Sequence, residues 1–132
     1  AAGIDEWGKF QAPTPNYEEQ CFYHDMAVDA DNKATVALAN REAAGGRGLG
    51  AYLTYDKTTL PYFTQWKMPD QGTYVTGLEP ANCRVEGRKK YREDGTLVIL
   101  QPGEVVEYSL EFGVLTSGAE IDAVQAKIES NK

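Results

Sequence analysis

Polar and apolar residues alternate with a period of two through most of this chain, and the period lengthens only near its end. EEQCFYHDMAV, residues 18–28, is rich in aromatic and apolar side chains and reads as a strand, closed by the turn-forming DADNK. ATVALAN reads as the next strand, so the two are expected to pair as a hairpin. REAAGGRGLG brings several glycines in quick succession and leads into a third strand, GAYLTYD. In TTLPYFTQWKM the alternation puts Tyr62, Thr64, Trp66 and Met68 on one face and Phe63, Gln65 and Lys67 on the other. After the PDQG turn, TYVTGLE sets Val75, Gly77 and Glu79 against Tyr74, Thr76 and Leu78.

Further along, GRKKYREDGT is expected as a polar loop ending in an Asp-Gly turn, LVIL as a short strand and QPGE as a tight turn. Val106, Tyr108, Leu110, Phe112 and Val114 alternate with mostly polar neighbours, the pattern of a half-buried antiparallel strand. The period then changes. Ser117 and Glu120 form an S-x-x-E capping box, and Ile121, Val124 and Ile128 recur at helical spacing, which predicts an amphipathic helix from about Ser117 to Ser130. The expected fold is all-β, an antiparallel β sandwich with a C-terminal helix, over residues 18–132. Residues 1–17, broken by Pro13 and Pro15, are expected as an extended lead-in segment.

Length and charge narrow the function. The chain has 132 residues, one domain's worth, with 42% hydrophobic and 25% charged positions, ordinary for a soluble globular domain. Thirteen basic against twenty acidic residues give a net charge of −7, which argues against nucleic acid and against anionic membrane surfaces as partners. The basic run Arg88, Lys89, Lys90 and Arg92 is followed at once by Glu93 and Asp94 and reads as a solvated loop. The two cysteines, Cys21 and Cys83, have neither zinc-site nor disulfide-framework spacing, so free thiols in a reducing cytoplasm are expected. With a single histidine, His24, no metal site is expected, and no cofactor is implied. The glycines of AAGGRGLG do not make a phosphate loop, because a strand rather than a helix follows them. The opening AAGIDEWGKF lacks an initiator methionine and the pattern of a signal peptide, as expected of a processed or truncated longer chain.

The candidate chemistry centres on GTYVTGLEPANCR. Glu79 stands at a strand end, after Gly77 and before Pro80, where the ladder is expected to stop and the side chain to face solvent or a cleft. Two readings follow. It is either an exposed acid paired with Arg84 or Arg88, or a general base or hydroxyl-binding carboxylate in a cleft lined by aromatics.

GRGLGAYLTYDKTTLPYFTQWKM followed by GTYVTGLEPANC resembles the C-terminal part of the aldose 1-epimerase, or galactose mutarotase, superfamily. It more closely resembles an uncharacterised bacterial branch in which Q-W-K-M precedes G-L-E-P-x-N. The resemblance covers most of residues 5–128, and 61–84 is its most specific part. It implies a portion of a galactose mutarotase-like supersandwich, in which Glu79 takes the place of the glutamate that removes the proton of the anomeric hydroxyl. An acid then protonates the ring oxygen, and the sugar exchanges anomers through its open aldehyde. The family's acid histidine falls upstream of this chain, so the isolated chain is expected to be inactive. It is also expected to pair with the rest of the parent sandwich, or with itself, through exposed edges.

Other matches imply sugar contacts. The family's Y-D-H motif appears here as Tyr23-His24-Asp25, in inverted order, so either His24 or Asp25 is placed toward the sugar. A lone histidine among apolar neighbours is also an ordinary structural residue. Trp66 and Lys67 fall where the family approaches its sugar, Trp66 to stack on a pyranose and Lys67 to donate to it, or else Trp66 belongs to the core and Lys67 to the surface. Arg84 orients Glu79, meets an anionic substrate, or forms a surface pair. Beside the isomerase stand two other classes, a non-catalytic sugar-binding sandwich and an accessory sandwich of another enzyme.

Overall fold

The computed structural model describes residues 3–131, which are mostly antiparallel β sheet with a C-terminal helix. Six strands form two three-stranded sheets. β1 (Gln20–His24), β4 (Tyr62–Asp70) and β5 (Thr73–Ala81) make one sheet in the order β1-β4-β5. β2 (Lys33–Asn40), β3 (Leu49–Asp56) and β6 (Leu110–Leu115) make the other in the order β2-β3-β6. The helical segments are α1 (Ala43–Gly46), a kinked single turn, α2 (Arg88–Glu93) and α3 (Gly118–Glu129). The contacts group into two compact units, residues 3–25 with 61–101, and residues 26–60 with 102–131.

In the first unit, β4 and β5 form a hairpin running from Asp70↔Thr73 to Tyr62↔Ala81. Its two-residue connection needs Gly72, whose φ of 96° an L side chain rarely adopts. β1 lies antiparallel on the other edge of β4, from Gln20↔Lys67 to His24↔Phe63. Because paired residues share a face, Gln20, Phe22 and His24 fall with Phe63, Gln65 and Lys67. The lead-in covers this face. Gln65 Nε2 donates to the Trp7 carbonyl at 3.0 Å, and Tyr74 Oη donates to the Gln11 carbonyl at 2.7 Å. Thr14 N–H donates to the Pro69 carbonyl, and Tyr17 N–H to Asp70 Oδ1. The lead-in is therefore packed on the sheet, with a 3-10 turn at Ile4–Glu6.

Lys67 is the anchor of that packing. Its side chain is 1% exposed, and Nζ donates to the carbonyls of Glu6 at 2.7 Å and Lys9 at 2.6 Å while standing 5.2 Å from the Phe10 ring centre. A buried ammonium is costly unless its donors are satisfied, and here two carbonyl oxygens and an aromatic face satisfy it without a carboxylate. Lys67, expected as a sugar donor or as a surface residue, is a core residue.

In the second unit, β2 and β3 pair from Lys33↔Asp56 to Asn40↔Leu49, and β6 adds to β3. Ala34, Tyr55, Leu60, Leu115 and Ile121 are buried here. The turn before β2 is organised by Asp29, whose Oδ1 accepts from the N–H groups of Asp31 and Lys33. Those hydrogen bonds hold its carboxyl below the usual range. The expected hairpin between the first two strands does not form, since β1 and β2 belong to different sheets. A turn signal marks a reversal of the chain without specifying its pairing partner.

Three other expectations change. The GRKKYRED stretch contains α2 rather than a loop, with Tyr91 buried on its inner side. Its charges were a helix signal, because Lys89 with Glu93 and Lys90 with Asp94 are i,i+4 pairs, at 3.9 Å and 2.5 Å. LVIL forms no strand. Of the run from Val106 to Val114, only the part from Leu110 is strand, and its apolar face is open: Leu110 is 50% exposed, Phe112 70% and Val114 58%. The helix is as expected. Glu120 N–H donates to Ser117 Oγ at 3.3 Å, and the Glu120 carboxylate accepts from Thr116 N–H at 2.6 Å and from its hydroxyl at 3.2 Å.

Candidate functional site

The sheet face away from the lead-in carries the candidate site. The register sets Tyr23, Thr64 and Glu79 in one row across β1, β4 and β5, and Cys21, Trp66 and Gly77 in the next. Tyr62 and Ala81 begin a third row. Thr64 is buried between its neighbours, whereas Cys21, Tyr23 and Glu79 are exposed. The alternation of Tyr62, Thr64 and Trp66 is visible in the sequence; the placement of Tyr23 beside Thr64 is not, because it depends on the β1 register.

Glu79 is exposed and leans along its own strand. Its carboxylate folds back over Gly77, and a methyl group built at position 77 would overlap Glu79 Oε1. Gly77 therefore supplies the room into which the acid leans, toward the Trp66 row. Among the described residues the carboxylate makes no hydrogen bond and no ion pair, so neither Arg84 nor Arg88 neutralises it. β5 continues through Pro80 to Ala81 instead of stopping at Glu79. The proline is tolerated because β5 is an edge strand.

The neighbouring groups define an acidic and aromatic surface. Trp66 Nε1 donates to Glu19 Oε2 at 2.7 Å, which fixes the indole. Partial loss of solvent, and then the charges of Glu19 and Glu79, push the Cys21 thiol above its usual range. Both cysteines are free and exposed. Arg84 places its guanidinium 5.0 Å from the Tyr62 ring centre and 5.7 Å from that of Tyr23. Beyond it, a cavity of about 350 Å³ is lined by Asn82, Cys83, Arg84, Arg88, Tyr91 and Leu97, among others.

The structure thus brings Glu79, Trp66 and Arg84 onto one face and puts His24 and Lys67 on the opposite one. The His24 ring meets Trp7 edge-on at 5.1 Å and Phe63 at 5.8 Å, and its Nε2 lies 3.2 Å from Gln65 Oε1. It packs under the lead-in, as Lys67 does. Asp25 follows β1 as an exposed residue outside the strand register. Among the described residues no group of three or more His, Cys, Asp or Glu side chains is placed to hold a metal ion. No helix among them is long and apolar enough to cross a membrane.

Residues 1–114 match the family model described as "Domain of unknown function (DUF4432)". The fold is similar to the crystal structure of a "putative aldose 1-epimerase" from Klebsiella pneumoniae subsp. pneumoniae MGH 78578, with a TM-score of 0.88 and 28% identity. That match covers 98% of this chain and 33% of the other, so this chain spans about a third of the length of the protein it resembles. Curated proteins gave no match. These findings are consistent with the aldose 1-epimerase-like superfamily, and the chain has the β-sandwich fold class of that carbohydrate-related group.

Proposed function

This chain belongs to the DUF4432 family of domains of unknown function, and on that premise and its epimerase-like fold we propose that it forms part of a sugar site at which Glu79 is the general base for anomer interconversion. The observation that carries the reading is the unpaired Glu79 carboxylate, lying over Gly77 on an open sheet face beside Trp66 and the Tyr23 and Thr64 row. A carboxylate without a hydrogen-bonding or ionic partner is available to accept a proton, and an aromatic surface next to it suits the C–H face of a pyranose.

In this mechanism the carboxylate removes the proton of the anomeric hydroxyl as the bond from the anomeric carbon to the ring oxygen breaks. A second group, outside this chain, delivers a proton to that oxygen. The aldehyde rotates and the ring closes on its other face, as the second group takes back the proton of the attacking hydroxyl and Glu79 returns its own to the new anomeric oxygen. Trp66 is the stacking platform and Arg84 a polar contact at the edge. His24 and Lys67 act on the other face, holding the lead-in. The reaction is placed in the cytoplasm, in keeping with two free thiols.

The test is Glu79→Gln in the full-length protein, with anomer exchange followed by NMR on a panel of aldoses beside a binding titration. Binding is expected to persist while turnover falls about 10²- to 10⁴-fold. Unchanged turnover removes Glu79 from the chemistry. Sugar binding with no turnover in the unaltered protein favours a non-catalytic sugar-binding sandwich.

A further inference from the structure

Arg84 and Arg88 line the same cavity of about 350 Å³, and among the described residues neither is in an ion pair. This is unexpected for a chain with twenty acidic residues against thirteen basic ones. The lysines next to them are neutralised within α2, Lys89 by Glu93 and Lys90 by Asp94. Glu86, the nearest acid in sequence, is within 3.5 Å of the Tyr91 hydroxyl rather than paired with either arginine. Two uncompensated guanidinium groups therefore share one concave site, with Asn82 as a further polar group and Tyr91, Leu97 and Val98 as apolar wall.

Arg84 also connects that cavity to the sheet face of Glu79. Its guanidinium rests on the rings of Tyr62 and Tyr23, and Tyr23 lies in the row of Thr64 and Glu79. The row spans three strands, so Tyr23 and Glu79 are about 10 Å apart along the sheet. A sugar ring with its anomeric carbon at Glu79 would direct a substituent on its far side toward Arg84. Stacking on tyrosine leaves the guanidinium N–H edge free, and that planar fork matches the paired oxygens of a carboxylate or phosphate.

We propose that the substrate of this site is an anionic sugar, whose acidic group is bound by Arg84 and Arg88 while its anomeric centre lies at Glu79. The proposal rests on the reading of Glu79 given above. Carboxylate and phosphate share the required chemistry, and one experiment separates them.

The full-length protein is titrated with D-glucose, D-glucuronate and D-glucose 6-phosphate at low and at physiological ionic strength, with anomer exchange recorded on the same samples. At least one acidic sugar is expected to bind about tenfold or more tightly than glucose. That preference is expected to shrink as salt rises. Preference for glucuronate identifies a sugar acid, and preference for the phosphate a sugar phosphate. Arg84→Gln combined with Arg88→Gln is expected to lower the affinity of the preferred acidic sugar at least tenfold more than that of glucose. Arg84→Lys retains charge but not the fork, and is expected to fall between. Equal binding of acidic and neutral sugars, a preference that survives the double substitution, or no sugar binding at all overturns the proposal. Turnover of glucose without acidic preference would overturn it and leave Glu79 as base. Acidic preference without turnover would sustain it and count against catalysis.

Discussion

Glu79 shows how much one side chain depends on its neighbour's lack of one. In a strand, residues two apart point to the same face, so the carboxylate can lean along β5 only where position 77 is empty. Gly77→Ala puts a methyl group on Glu79 Oε1, and the atom displaced is the end of a flexible side chain, so the fold can absorb the change. The variant is expected to keep the thermal stability of the parent within about 1 kcal/mol. Turnover is expected to fall up to about 10²-fold, because a shift of about 1 Å at a reacting group has that effect. Activity equal to the parent's would show that the leaning conformation is irrelevant. Lys67 makes the complementary point, since its chemistry as a sugar donor is plausible by type and excluded from the Glu79 face by strand alternation.

At the scale of elements, α3 is the part most completely written in its own residues. The Ser117 and Glu120 hydrogen bonds satisfy groups at the helix entry, and those from Thr116, its N–H first and then its hydroxyl, hold the Glu120 carboxyl below the usual range. A carboxyl lowered on folding contributes stability that is present above its unfolded pKa and is lost as pH falls through the folded value. Helix signal from α3 is therefore expected to weaken on acidification below the ordinary glutamate range. Glu120→Gln should flatten that dependence, read from the Thr116 amide resonance and from far-UV dichroism across the titration. A titration unchanged by the substitution would refute the assignment. α2 is equally legible in its i,i+4 charges, whereas the burial of Tyr91 is not visible locally.

On the scale of the whole molecule, the exposed apolar strand is the main departure from an ordinary soluble surface. β6 is an edge strand, paired only with β3 among the described elements, and it presents Leu110, Phe112 and Val114 to solvent. An open edge with an apolar face is a template for pairing with another chain. The 132-residue chain is expected to self-associate through β6, with a concentration-dependent mass in light scattering. Phe112→Lys is expected to return it toward monomer. A wild-type chain monomeric at high micromolar concentration would refute this.

The sequence by itself determined what depends on near neighbours: most of the strands from their period-two patterns, the PDQG turn between β4 and β5, the faces of Tyr62, Thr64 and Trp66 against Phe63, Gln65 and Lys67, and the capped helix. It also singled out Glu79, Trp66 and Arg84, which the strand register and the Arg84 contacts then set on one side of the sheet. Only the tertiary structure decided which strands pair. That choice moved β1 from an expected hairpin with β2 to the edge of β4, and so set Tyr23 in the row of Glu79 while turning His24 under the lead-in. It also decided that Lys67 is buried and that the alternating face of β6 is not. The physical reason is that alternation tells a side chain which face it shares, whereas burial and partnership depend on what lies against that face, and such contacts join residues far apart in the chain.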